Sequence, residues 1–265
     1  MQGLGLGLRF KYLDDLLQAE SLPINWLELL ADHFHDLNAP IVKKVECLLE
    51  RFPCALHSVN LSIASTDKLN ETYLTFLENL VERFNPAWVS DHLCFSHVGQ
   101  VYLHDLLPIP FTYTLLDHVA FKVDQVQKRL KRPFLIENIS SYLRLKGSEM
   151  SEAEFIEKLT KKTGCGILLD VNNVVVTCHN HGESIQAFCE AIPFQSVKQL
   201  HMAGAVEQGQ LLIDTHSQPM AEDVLALYST IIAEQGEIPT CLEWDNDLPE
   251  FALVLQELKK LQSGS

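Results

Sequence analysis

Short apolar runs recur along the chain, and most are followed by a stretch in which apolar residues return every three or four positions. The runs are GLGLGLRF, INWLELLADHF, PCALHSVNLSI, AWVSDHLCF, RPFLIENISSYL, GILLDVNNVVV, VKQLHMAGA and PTCLEWDND. Helical spacing is carried by residues 11–20, 40–51, 67–84, 113–131, 151–163, 219–235 and Pro249 to Leu261, and HNHGESIQAFCEAI supplies a loop and a further helix. Pro40 and Pro219 suit first helical turns, Asp67 is a candidate N-cap, and Gly164 is a stop. VYLHDLLPIPFTY reads as an irregular loop over one end of the domain. Apolar segments alternating with helices predict an α/β fold, a (β/α)8 TIM barrel formed by residues 1–265 as a single domain, because no linker or low-complexity tract divides the chain. An open, doubly wound sheet is the alternative, and eight units suit the barrel better.

The opening glycines invite a nucleotide-loop reading, which fails because Leu8 and Phe10 occupy the positions where the fingerprint needs its next glycine. Gly3, Gly5 and Gly7 alternate, so on a strand they share one face and leave room there. The formal net charge is −15, from 20 basic and 35 acidic residues, which repels a phosphate backbone and argues against nucleic acid as a partner. The cysteine count is odd, seven in all, with no CxxC pair, as expected for reduced thiols in a cytoplasmic protein. No stretch is long enough to span a bilayer, and no nucleophile elbow or P-loop occurs.

Chemistry concentrates where the predicted strands end. Glu28, His57, His92, Glu137, Asp170 with Asn173, His201 and Glu243 close successive strands, and the stretch 199–217 adds Asp214 and His216. In a barrel these ends face one mouth. Polar residues end strands for ordinary reasons, and the chain holds 35 acidic residues and 11 histidines. Many imidazoles and carboxylates in one mouth nevertheless repel or carry desolvation costs unless cations neutralise them. The nitrogen and oxygen set without thiolate suits iron, manganese or zinc, and its size suits two or three ions. His33, His35, His97, His104, His118 and His179 read as solvated or hydrogen-bonded side chains, with His181 intermediate.

These residues resemble those of the multinuclear non-heme iron-dependent oxidases. GLGLR, WLELLADHF, LHSVNLSI, VSDHLCFS, LPIPFT, LIENISSYL, LLDVNNVVV with NHG, QLHMAGA, LIDTHS and LEWDND occur in that family's order across nearly the whole chain. The resemblance implies an iron-binding barrel that uses dioxygen to modify a cysteine, or another residue, of a ribosomally made precursor peptide, with a small peptide-recognition protein as partner. It implies that His57, His92 and Glu137 hold one iron. Glu137 would bridge to a second, held by His201, Glu243 and a side chain of the DVNN segment. Asp214 and His216 would hold a third, completed by Asp170 or Asn173. The chain departs from the family's pattern at Asp32-His33 and at Trp244. Two other classes remain open: a divalent-metal sugar isomerase or phosphoesterase, which calls for a Lys or Arg aimed at substrate oxygens, and a non-catalytic metal or peptide carrier.

Overall fold

The computed structural model describes residues 1–99 and 101–263. In chain order it runs β1 (Leu4–Gly7), α1 (Leu13–Gln18), β2 (Trp26–Leu30), α2 (Pro40–Leu49), β3 (Cys54–His57), α3 (Glu71–Phe84), β4 (Val89–His92), β5 (Phe95–Val98), β6 (Val101–Leu107) and α4 (Tyr113–Leu130). It continues β7 (Phe134–Glu137), α5 (Glu152–Thr163), β8 (Gly166–Asp170), α6 (Val171–His181), α7 (Ile185–Ala191), β9 (Val197–Met202), β10 (Ala205–Gln208), β11 (Leu211–Asp214), α8 (Glu222–Gln235), β12 (Thr240–Leu242) and α9 (Phe251–Ser263).

Strands β1, β2, β3, β4, β7, β8, β9 and β12 pair in parallel and close into a barrel, β12 returning to β1. Each of the apolar runs contributes one of these strands. Parallel pairing needs a crossover between neighbours, and the helices supply it while burying their apolar stripes on the barrel's outer face. Val119, Val123 and Val126 of α4, for example, are fully buried in the main core. A second buried cluster, Trp26, Ala55, Trp88, Leu135, Leu168 and Cys241, is contributed by barrel strands and the residue preceding β4. The glycine face of β1 has its purpose here, since a Cβ on Gly5 would sit 2.4 Å from the Trp26 ring.

Two connections are more ordered than the sequence suggests. VYLHDLL is strand β6, paired antiparallel with β5, and residues 205–214 form a second hairpin, β10 with β11. Both are insertions on the side where barrel strands end. Three predicted boundaries also move. The helix expected from Asp67 begins at Glu71, because the Asn70 side chain accepts from Thr72 N and Tyr73 N; Asp67 instead accepts from Gly99 N at 2.5 Å and anchors the first hairpin. The helix expected at Pro219 begins at Glu222. The run GILLDVNNVVV is a strand only to Asp170, whose side chain caps α6 at once, so VNNVVV and HNH are helical. Among the described residues no helix is long and apolar enough to cross a membrane.

Candidate metal centre at the barrel mouth

Strand ends bring the predicted residues together. His57, His92 and Glu137 terminate β3, β4 and β7, and are 3 %, 8 % and 1 % exposed. Glu137 Oε2 lies 3.6 Å from His57 Nε2 and 3.3 Å from His92 Nε2. Its other oxygen, Oε1, lies 3.1 Å from His201 Nδ1, which is also 3.0 Å from Glu243 Oε2. One carboxylate thus faces two groupings, His57–His92–Glu137 and Glu137–Asp170–His201–Glu243, and within each the candidate ligand atoms lie within 4.8 Å of one another.

The third grouping surrounds His216. Its Nε2 is 2.9 Å from Asp214 Oδ1 and 3.5 Å from Asp170 Oδ2, while Nδ1 is 3.2 Å from both Glu243 Oε2 and Asp245 Oδ2. The backbone of His216 is left-handed (φ 44°), a region costly for a side chain with a Cβ, and its carbonyl accepts from Asp245 N at 2.8 Å. The Asp170 carboxylate divides its labour: Oδ1 accepts from Asn173 N at 2.6 Å and caps α6, leaving Oδ2 for the mouth. Of the two DVNN candidates, Asp170 joins the clusters. Asn173 is buried beside them and lines the mouth, its amide nitrogen donating to Asn138 O at 3.2 Å and its Oδ1 buried without a hydrogen-bond partner among the described residues.

The arrangement fits a cation. Two ligand atoms each about 2.1 Å from one ion stand roughly 3.0–3.4 Å apart, and the pairs here stand 2.9–3.6 Å apart, around that range. Glu137 Oε2, Asp170 Oδ2 and both nitrogens of His216 are buried, yet make no hydrogen bond among the described residues. They approach neighbouring ligand atoms without the alignment of a donor and an acceptor, as atoms directed at a common point do. Orphaned polar atoms at this burial are costly unless something else satisfies them.

Electrostatics give the same picture. Burial lowers the pKa of His57 and His92, which keeps both imidazoles neutral. Burial pushes Glu137 up to about 7 and raises Asp170 well above the carboxylate range. For His201, burial lowers the pKa but the Glu28, Glu243 and Glu137 carboxylates outweigh it and hold it well above the usual value; for His216, burial is likewise outweighed, chiefly by Asp214. The metal-free mouth therefore stores protons that a cation must displace. Loading at pH 7 is expected to release protons, and affinity to rise with pH until His201, His216, Asp170 and Glu137 are deprotonated. Titration with zinc(II) in two buffers of different ionisation enthalpy checks this, and uptake without proton release would contradict it.

Two participants, Asp245 and Arg9, were not assigned to the mouth by sequence, and Glu28, expected to close its strand there, stands instead in the middle of β2. Glu28 Oε1 lies 2.7 Å from His201 Nε2. Asp245, two residues after Glu243, contacts His216 Nδ1 and is paired with Arg9. Arg9 NH2 is also 3.3 Å from Glu243 Oε1, so the GLGLR arginine is a buried counter-ion that holds the acidic ligands in place. A charge in the middle of the apolar run WLELL was the signal for Glu28, and same-face spacing from Glu243 was the signal for Asp245. Asp32, by contrast, accepts from Asn60 Nδ2 and Tyr73 OH and braces the loop after β3, while His33 lines the mouth beside Phe10. Trp244 is buried, and its indole nitrogen has no hydrogen-bond partner among the described residues.

The remaining histidines lie outside the groupings. His35 stacks on Phe76, His118 Nε2 meets Ser65 O and His179 Nε2 meets Gln210 O. His97 is buried against Tyr102 rather than solvated, and His181 ends α6 with Nε2 buried. The side chain of His104 lies outside the described residues. All seven cysteines are free.

A closed parallel barrel with buried imidazole–carboxylate clusters at one mouth defines a (β/α)8 protein whose active face can hold metal ions. Residues 3–264 match the family model described as RiPP precursor modification enzyme MbnB/TglH/ChrH, and the chain belongs to that family. It is 40% identical over 258 residues to a UPF0276 protein of Anaeromyxobacter sp., covering 97% of this chain and 91% of the relative. A UPF0276 protein of Vibrio vulnificus is 39% identical over 264 residues, covering 98% and 90%. Among solved structures, an L-ribulose 3-epimerase matches with TM-score 0.61 at 15% identity, over 99% of this chain and 93% of that one. Endonuclease IV from Thermus thermophilus matches with TM-score 0.60 at 14% identity, over 99% and 100%. At such identity these two share the barrel alone.

Proposed function

We propose that this protein is an iron- and dioxygen-dependent oxidase that modifies a cysteine, or another side chain, of a ribosomally synthesised precursor peptide, working with a small peptide-recognition protein. The observation that carries the reading is Glu137, one carboxylate facing two buried histidine-containing groupings in a chain of a peptide-modifying family. Two imidazoles and one carboxylate, His57, His92 and Glu137, form the donor set suited to non-heme iron with positions left open. When bound, iron supplies the redox chemistry that couples dioxygen to oxidation of the peptide.

The chain's own residues do the rest. Neutral His57 and His92 offer nitrogen lone pairs at physiological pH, and Arg9 fixes Glu243 and Asp245 against the mouth. A cavity of about 800 Å³ opens over the clusters, with Phe10, Leu30, Val59 and Leu248 giving apolar wall and Asn60 and Asn246 giving amide groups. That volume accommodates a few residues of a peptide, and the apolar wall displaces water from the side chain presented to the ions. A sugar or phosphodiester enzyme would need a free basic group over the clusters. Two basic side chains line the cavity, and both are engaged: the Arg9 guanidinium by Glu243, Asp245 and Leu8 O, and the Lys11 ammonium by Leu248 O and Pro249 O.

Anaerobic purification with metal analysis, followed by exposure to dioxygen and the peptide encoded beside the gene, tests the reading. The expected result is a mass change in the peptide that requires both iron and dioxygen. Stoichiometric zinc or magnesium without iron, in protein that turns over a sugar or phosphodiester, would overturn it. Iron-loaded protein that leaves the neighbouring peptide unchanged would indicate a carrier.

A further inference from the structure

Beneath the mouth, a chain of hydrogen bonds crosses the barrel interior and ends on one of the candidate ligands. Trp88 Nε1 donates to Gln199 Oε1 at 2.6 Å, and Gln199 Nε2 donates to Glu28 Oε2 at 2.5 Å. The other oxygen of Glu28 lies 2.7 Å from His201 Nε2. Gln199 and His201 are fully buried, and Glu28 is 2 % exposed. The four residues come from two barrel strands, β2 and β9, and the position preceding a third, β4, so closure of the barrel is what assembles them.

The direction of this chain is fixed from one end. An indole nitrogen is a donor only. Gln199 must therefore present its oxygen to Trp88, and its amide nitrogen is left to face Glu28. An amide nitrogen donates, so Glu28 accepts there at Oε2; its Oε1, at which the Cys241 thiol also donates from 3.8 Å, faces His201 as the acceptor oxygen of an ionised carboxylate. Nε2 of His201 must then carry the proton. When a cation displaces a proton from this imidazole, the nitrogen left with a lone pair is Nδ1, the atom 3.1 Å from Glu137 Oε1 and 3.0 Å from Glu243 Oε2.

We propose that Trp88, Gln199 and Glu28 form a one-way hydrogen-bond relay that holds His201 as its Nε2–H tautomer and so commits Nδ1 to the cation shared with Glu137 and Glu243. The three are positioning residues, since none presents an atom to the groupings around Glu137. An outer carboxylate that orients a metal-bound imidazole and raises its basicity is a common device in metal sites. Here the carboxylate is itself oriented by a donor whose polarity cannot be reversed. Such a relay guards the site against the inverted tautomer, in which Nδ1–H would point at the ion. This inference rests on the metal-binding reading of the mouth.

The test uses metal-stripped full-length protein with 15N-labelled histidine, titrated with zinc(II). In the wild-type chain the His201 signals are expected to show Nδ1 bound and Nε2 protonated. Glu28→Gln lets an amide N–H face Nε2, and affinity at the His201 position is expected to fall by about 10- to 100-fold, while the His57–His92 position fills as before. Trp88→Phe touches no candidate ligand; by freeing the Gln199 amide to turn, it is expected to weaken the same position selectively and by less. This second variant decides the matter if Glu28→Gln fails to fold. Zinc bound through Nε2, or variants that lower thermal stability while leaving affinity at the His201 position unchanged, would overturn the relay. Wild-type protein that takes up no zinc would instead overturn the metal reading on which the relay rests.

Discussion

Replacing Glu137 by glutamine is expected to unload two metal positions at once. The substitution keeps the side chain's size, so the fully buried packing around β7 survives, but it exchanges one ligand oxygen for an amide NH2, whose lone pair is delocalised into the carbonyl and which only donates hydrogen bonds. Glu137 Oε2 is the oxygen nearest His57 and His92, and Oε1 is the one nearest His201. Whichever oxygen is lost, one grouping loses its carboxylate and the other keeps a neutral amide oxygen in place of an anion. Changes to outer partners cost roughly 10- to 100-fold in metal affinity, and a shared ligand should cost at least about 100-fold at one position with weakening at the other. Metal content of anaerobically reconstituted Glu137→Gln, with turnover of the peptide, is the measurement. Full occupancy at either position would mean that Glu137 is not shared.

His216→Ala is expected to act in the opposite way, removing one ion and leaving the His57–His92 position occupied. His216 is the imidazole among Asp170, Asp214, Glu243 and Asp245, with a nitrogen toward each pair of carboxylates. Without it those carboxylates face one another with Arg9 as their nearby cation. In the metal-free protein this leaves buried charge uncompensated, which costs on the order of 3 kcal/mol, so the metal-free midpoint of thermal unfolding should fall as well. Glu243 Oε2 is close to both His201 Nδ1 and His216 Nδ1, which couples the second and third groupings. Partial weakening at the His201 position is therefore expected too. Loss of all metal from the variant would contradict the division of the mouth into separable positions.

Much of the barrel can be read from the pattern of apolar residues, since each strand is a short buried run and each crossover a helix with one apolar stripe. The insertions cannot be read so directly. VYLHDLL carries polar groups and is followed by prolines, so a strand there depends on pairing with β5, which is a non-local fact. The prompt start of α6 is another such case. Asp170 ends an apolar run whose continuation, VNNVVV, has a strand-like composition, and only the cap between Asp170 Oδ1 and Asn173 N turns it helical. Asn70 displaced Asp67 as the cap of α3 for a comparable reason: a cap is decided by which side chain reaches the free N–H groups, not by which acidic residue stands first.

The sequence by itself determined the alternation of strand and helix and the placement of imidazoles and carboxylates near strand ends, because these follow from local spacing and residue type. Tertiary structure alone decided who meets whom. Barrel closure makes Glu137 face His57 and His92 on one side and His201 on the other. It sets Arg9 from the first strand's end against Glu243 from the last. It also carries Glu28, a charge in the middle of an apolar strand, under His201 as a partner. Chain neighbours cannot specify such meetings, since they depend on the register and closure of a sheet whose first and last strands are separated by nearly the whole chain.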